Sequence, residues 1–155
     1  MTITDTATIE APQAATQAAS AAKTIMLAEL PPLGQPLDDG TFQGLTTAKD
    51  GTHYAVLLLD AKPDARLDWQ KAKAWAHGVG GELPTRPVAS MLYANAKAQF
   101  EPSWYWTRDE LQDDTDDEED ASHAWRCYFS YGDVSLSHES FEGRARAVRL
   151  IPLSA

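Results

Sequence analysis

Cysteine is nearly absent from this 155-residue chain, which has only Cys127. One thiol closes no internal disulfide, and it supplies neither a thiolate zinc cluster nor a resolving-cysteine redox pair. Basic residues are also scarce, with 13 Lys and Arg against 23 Asp and Glu. A phosphate-tracking surface is not expected, and nucleic acid is not an expected partner. No apolar run reaches the roughly 20 residues that span a bilayer, so membrane insertion is not expected either. The first residues lack a basic n-region followed by an apolar h-region, so no secretory signal is read. The expectation is a soluble product made in a cytoplasm.

The acidic excess is local. Nine of the 23 acids fall between Asp109 and Asp120, a stretch with no base, and the other 14 face 13 bases. The chain reads as a nearly neutral domain carrying one acidic loop, 109–120. Hydrophobic residues make up 43% of the chain, enough for a real core. All five Trp lie between Trp69 and Trp125, so the core is expected in the middle and end of the chain.

Residues 1–30 read as an N-terminal arm or tether. Met1 to Lys23 is rich in Ala and Thr, has no aromatic residue, and buries too little to offset its ordering entropy. Thr24 to Leu30 is apolar and reads as a first short strand or a docking segment. From residue 31 a single domain is expected. Thr41–Thr47 and Thr52–Asp60 flank Lys49-Asp50-Gly51, a hairpin signal, with His53 to Leu59 apolar enough for a central strand. Asp68 reads as the N-cap of a helix from Trp69 to His77, with Gly78 at its left-handed end. A second helix is expected from about Thr85 to Gln99, with Pro87 in its first turn. The pattern then turns to β: Trp104–Thr107, Ala124–Ser130, Val134–His138 and a last strand over Arg144–Ile151.

Four blocks resemble a known family. Gly81-Glu82-Leu83-Pro84-Thr85-Arg86 resembles its G-x-L-P-T-R step into the second helix, and Trp104-Tyr105-Trp106-Thr107 its Y-W-[ST]-S strand. Ala124-Trp125 with Tyr128 to Gly132 is similar to its A-W…F-x-x-G hairpin, and Glu142 to Arg149 to its terminal R-x-V-R strand. The family is a widespread domain of unknown function. It also forms the lectin-like C-terminal domain of some bacterial collagen-like adhesins, and many members of this type look phage- or prophage-encoded. The resemblance implies a C-type-lectin-like fold in the broad sense, shared with formylglycine-generating enzymes. That fold is α+β, with two helices packed on a small, twisted, mainly antiparallel sheet. A bacterial cytoplasm and a phage virion follow as the expected setting. The paired active-site cysteines of the enzymatic relatives are missing here, as are the E-P-N and W-N-D calcium and sugar motifs of typical lectins. The expectation is therefore no enzyme and no cofactor.

The candidate binding residues are Trp104, Trp106, Arg126, Tyr128, Tyr131 and His138. Alternation sends Trp104 and Trp106 to one face of their strand and Tyr105 to the other. These aromatics either fill the core or form, in part, an aromatic–Arg surface suited to protein or glycan recognition. The acids Asp113, Asp114, Asp116, Asp117, Glu118, Glu119 and Asp120 either form a solvated loop, coordinate calcium through their oxygens, or meet a basic partner. His123 and His138 approach across the last hairpin, with surface or capping roles favoured over a metal pair. Arg144, Arg146 and Arg149 either pair with acids of the core domain or with the acidic loop, and a structural role is favoured. The leading reading is a non-catalytic, virion-associated binding module. Its rivals are a particle decoration protein held by residues 1–30, possible also as a homo-oligomer, and an inhibitor of a host defence protein that uses the acidic loop.

Overall fold

The computed structural model describes residues 23–111 and 122–154. Its elements, in chain order, are strands β1 (Ile25–Met26), β2 (Pro36–Leu37), β3 (Gly40–Thr47) and β4 (His53–Leu59), helices α1 (Trp69–Gly78) and α2 (Arg86–Ala96), and strands β5 (Trp104–Glu110), β6 (His123–Tyr128), β7 (Val134–His138) and β8 (Val148–Ser154). The class is α+β. One sheet has five strands in the order β1-β8-β4-β3-β2, and the other has three, β5-β6-β7. Every pairing is antiparallel except β1 with β8.

Local chemistry explains the hairpin and both helices. The Thr52 N–H donates to the Asp50 carboxylate at 2.9 Å, tightening the turn between β3 and β4 and lowering that carboxyl's pKa. Asp68 accepts from the Lys71 N–H at 2.9 Å and caps α1, while Thr85 accepts from the Val88 N–H at 3.3 Å and caps α2. The left-handed residue after α1 is Gly80, with φ +88°, not Gly78, which remains helical. The helix runs one residue further than expected, and the Gly81 N–H closes its end on the Ala76 carbonyl at 2.9 Å.

β4 is central and buried on both faces. Val56 and Leu58 pack with Val88, Ala89 and Leu92 of α2 and with Tyr105, Cys127 and Phe129 of the small sheet. Ala55 and Leu57 pack with Phe42 and Ile151 on the opposite face, which is closed by Ile25, Leu30 and Leu37. The end of the expected arm therefore belongs to the domain. A third cluster joins Trp69, Ala72 and Ala76 of α1 to Leu83, Trp106, Ala124 and Ala147.

Backbone bridges tie the two sheets together. Glu82 exchanges both backbone hydrogen bonds with Val148, at 2.9 and 2.8 Å, and the Arg108 N–H donates to the Pro84 carbonyl at 2.9 Å. The residues 81–86 are thus a structural joint. The last strand begins at Val148 rather than Arg144, because residues 144–147 turn across the small sheet, where the Trp106 N–H donates to the Arg144 carbonyl at 3.0 Å. Among the described residues no helix is long and apolar enough to cross a membrane.

Candidate binding surface

The three-stranded sheet positions the predicted aromatic set. In register, Trp104 faces Tyr128, Trp106 faces Arg126, and Arg126 faces Ser135. Period-two alternation puts Trp104, Trp106, Arg126 and Tyr128 on one face, and Tyr105, Trp125 and Cys127 on the other. Both faces carry packing, which decides the fate of each residue.

Trp106 is a correction to the sequence reading. It is 0% exposed, and its indole N–H donates to the Leu67 carbonyl at 2.9 Å. The α1 cluster covers the inner part of this face, so Trp106 holds the loop before α1 and meets no ligand from outside. Trp104 is half-buried and stands edge-on to Trp106, with centroids 4.9 Å apart. Its ring lies on Gly143, where a Cβ atom would come within 2.1 Å of it.

Arg126 lies over the outer side of Trp104, its Cζ 4.7 Å from the ring centroid, and its Nε donates to Ser135 Oγ at 3.1 Å. The guanidinium is thus oriented by a ring and a hydroxyl while staying partly open to solvent. Tyr128 follows at the strand end, 37% exposed, and stacks on Tyr131, which is 75% exposed, with centroids 5.8 Å apart. The turn after Tyr128 is fixed by two N–H groups, those of Tyr131 and Gly132, both donating to the Tyr128 carbonyl. Trp104, Arg126, Tyr128 and Tyr131 therefore form one contiguous patch.

His138 lies apart, at the far end of β7 and roughly 13 Å along the strand from Val134. It neighbours His123, with rings 5.3 Å apart, and its Nδ1 is 2.7 Å from Ser140 Oγ. The approach of the two histidines across the hairpin is as expected, and Ser140 gives His138 a capping role. Among the described residues no group of three or more His, Cys, Asp or Glu side chains gathers as metal ligands would. The acids Asp113, Asp114, Asp116, Asp117, Glu118, Glu119 and Asp120 lie outside the described residues. Asp109, at the start of the acidic run, accepts from both the backbone N–H and the Nε of Arg86, at 2.9 and 3.1 Å. It belongs to the start of α2.

Cys127 is fully buried between the small sheet and α2. Burial, with Asp133 nearby, pushes its thiol up to about 11, so it is protonated near neutrality. Two surface residues outside the predicted set extend the apolar character of this region: Val134, 40% exposed, and Phe141, 59% exposed. Phe141 was detectable as an apolar residue in a polar stretch (Ser137 to Glu142), but nothing local distinguishes it from a core residue.

A larger cleft, about 990 Å³, runs past the N-terminus of α2 and is lined by Lys73, Arg86, Arg108, Glu82 and Asp109 among others. Four of its charges answer one another: Arg86 pairs with Asp109 at 3.1 Å and Arg108 with Glu82 at 3.2 Å. That mutual pairing accounts for those residues as structure. The chain matches no protein-family model, and no curated protein matches it in sequence.

Proposed function

We propose that this chain is a non-catalytic binding module of C-type-lectin-like architecture, recognising a protein or glycan surface through the small sheet and its hairpin. One observation carries the reading. Of the eight large apolar side chains that stand exposed among the described residues, four (Tyr128, Tyr131, Val134 and Phe141) fall on this hairpin and the turn after it. Exposed rings gathered beside an oriented arginine are the composition of interface hot spots, because tyrosine offers wide contact at little entropic cost. Two helices against a small antiparallel sheet support the lectin-like part of the reading. The one thiol is buried and protonated, which removes it as a nucleophile. The phage-type sequence blocks support a virion-associated setting.

A second reading, a particle decoration protein held by its N-terminal arm, rests on Met26 and Leu27. They are 49% and 62% exposed where the arm meets the domain. Both readings are tested together with the full chain on a glycan array and in a host-cell-surface pull-down. Tyr128→Ala, Tyr131→Ala and Arg126→Ala should each weaken capture at least tenfold, while Met26→Ser with Leu27→Ser leaves it unchanged. A blank array and pull-down, or unaltered capture by the tyrosine variants, sinks the first reading. Loss of particle association in the Met26/Leu27 variant alone transfers the function to the second.

A further inference from the structure

Arginines are seldom buried without an ion pair, and this fold buries one that way, with a second, half-buried, two residues away. Arg146 is 3% exposed. Its Nη1 donates to the Gln99 carbonyl at 2.7 Å and its Nη2 to the Leu59 carbonyl at 2.9 Å, while Nε has no partner. The Phe100 ring lies 5.2 Å from its Cζ. Arg144, two residues earlier, makes no side-chain hydrogen bond and no ion pair among the described residues, and its Nε is also buried without a partner. The structural role favoured for these arginines is met at Arg149, which pairs with Asp39, and at Arg146 through its two carbonyls, while Arg144 has no acid within ion-pair distance among the described residues.

Both arginines line one cleft of about 300 Å³, which also carries Arg66, Lys62 and Tyr105. That volume sits at the small end of ligand sites. The Tyr105 hydroxyl accepts from the Glu101 N–H at 2.9 Å, so its own proton is left to donate. Two carboxylates line the cleft as well, Asp64 and Glu101, and neither comes within ion-pair distance of either arginine. Asp60 acts on Arg146 from beyond ion-pair distance, and even with it the four cations of the lining outnumber the acids in a chain whose net charge is -10. A buried cation is costly until a counter-charge meets it.

We infer that this cleft binds the oxyanion of a small molecule, a carboxylate or a phosphate. Arg144 and the Tyr105 hydroxyl contact it, Arg66 and Lys62 close the mouth, and Arg146 lies beneath as a fixed positive charge. A guanidinium fork suits such planar or tetrahedral acceptors. This site is separate from the aromatic hairpin and stands or falls independently of it.

The test is calorimetric titration of the full chain with inorganic phosphate, acetate, glucuronate and uncharged glucose, each against sodium chloride at matched ionic strength. One-to-one saturable binding of an oxyanion is expected, with glucose silent. Glucuronate or acetate above phosphate assigns a carboxylate ligand, and the reverse order assigns a phosphate. Arg144→Gln should weaken binding at least tenfold, and Arg66→Gln, on the exposed loop, at least threefold with the fold intact by circular dichroism. Tyr131→Ala should leave binding unchanged. The inference is overturned if no oxyanion binds saturably above the chloride control. It is equally overturned if the folded Arg144→Gln or Arg66→Gln protein binds as the parent does.

Discussion

At Gly143 a hydrogen atom stands where any other residue would place a methyl group into the Trp104 ring, 2.1 Å away. The same residue exchanges both backbone hydrogen bonds with Leu67, each at 2.8 Å, so it cannot slide aside without breaking a bridge. Gly143→Ala should therefore cost about 1–3 kcal/mol, the usual range for overpacking a tight contact. Urea denaturation measures the cost, and near-ultraviolet circular dichroism should show Trp104 displaced. An unchanged midpoint and spectrum would mean that the ring has room to move. Trp106 shows why residue-scale reading of a sequence stops short. Alternation correctly placed it beside Trp104, but only the position of α1 decides that one ring is core and the other rim. Arg144 and Arg146 make the same point about charge, since their spacing resembles Arg149 and their partners do not.

Elements whose cause is local were legible. Asp50-Gly51 announced the β3–β4 hairpin, and Asp68 and Pro87 announced two helix starts, because caps and tight turns depend on neighbours within four residues. α2 carries a second device that no local pattern displays. Asp109, 23 residues away, binds the first N–H of the helix alongside the Thr85 cap. Thr85→Ala should then lose only about 0.5–1 kcal/mol, the low side of what an N-cap usually contributes, and combining it with Asp109→Asn should lose more than either change alone. Chemical denaturation of the four proteins closes that cycle, and strict additivity would show the two contacts to be independent. The late start of β8 and the pairing of Ile25–Met26 with its end escaped sequence reading for the same reason. The first is set by the small sheet at Trp106 and the second by a partner more than 100 residues distant.

For the whole molecule, the aromatic hairpin and the arginine cleft are built from different residues. The two strands that bracket the acidic segment are held by contacts among the described residues. Glu110 pairs with Ala124, Thr107 Oγ1 donates to the Trp125 carbonyl at 2.8 Å, and Asp109 is held by Arg86. Replacing residues 112–121 with four Gly and Ser residues should leave the fold intact and change stability by less than about 1 kcal/mol, since closure entropy depends only weakly on loop length. Thermal unfolding checks this, and a failure to fold would show that the segment contributes packing. The replacement also removes seven carboxylates and takes the net charge from -10 to -3. The pinned junction then behaves as a socket. Foreign loops of differing length and charge can be seated between Glu110 and Ala124, beside an unchanged aromatic hairpin, so that one scaffold displays many surfaces.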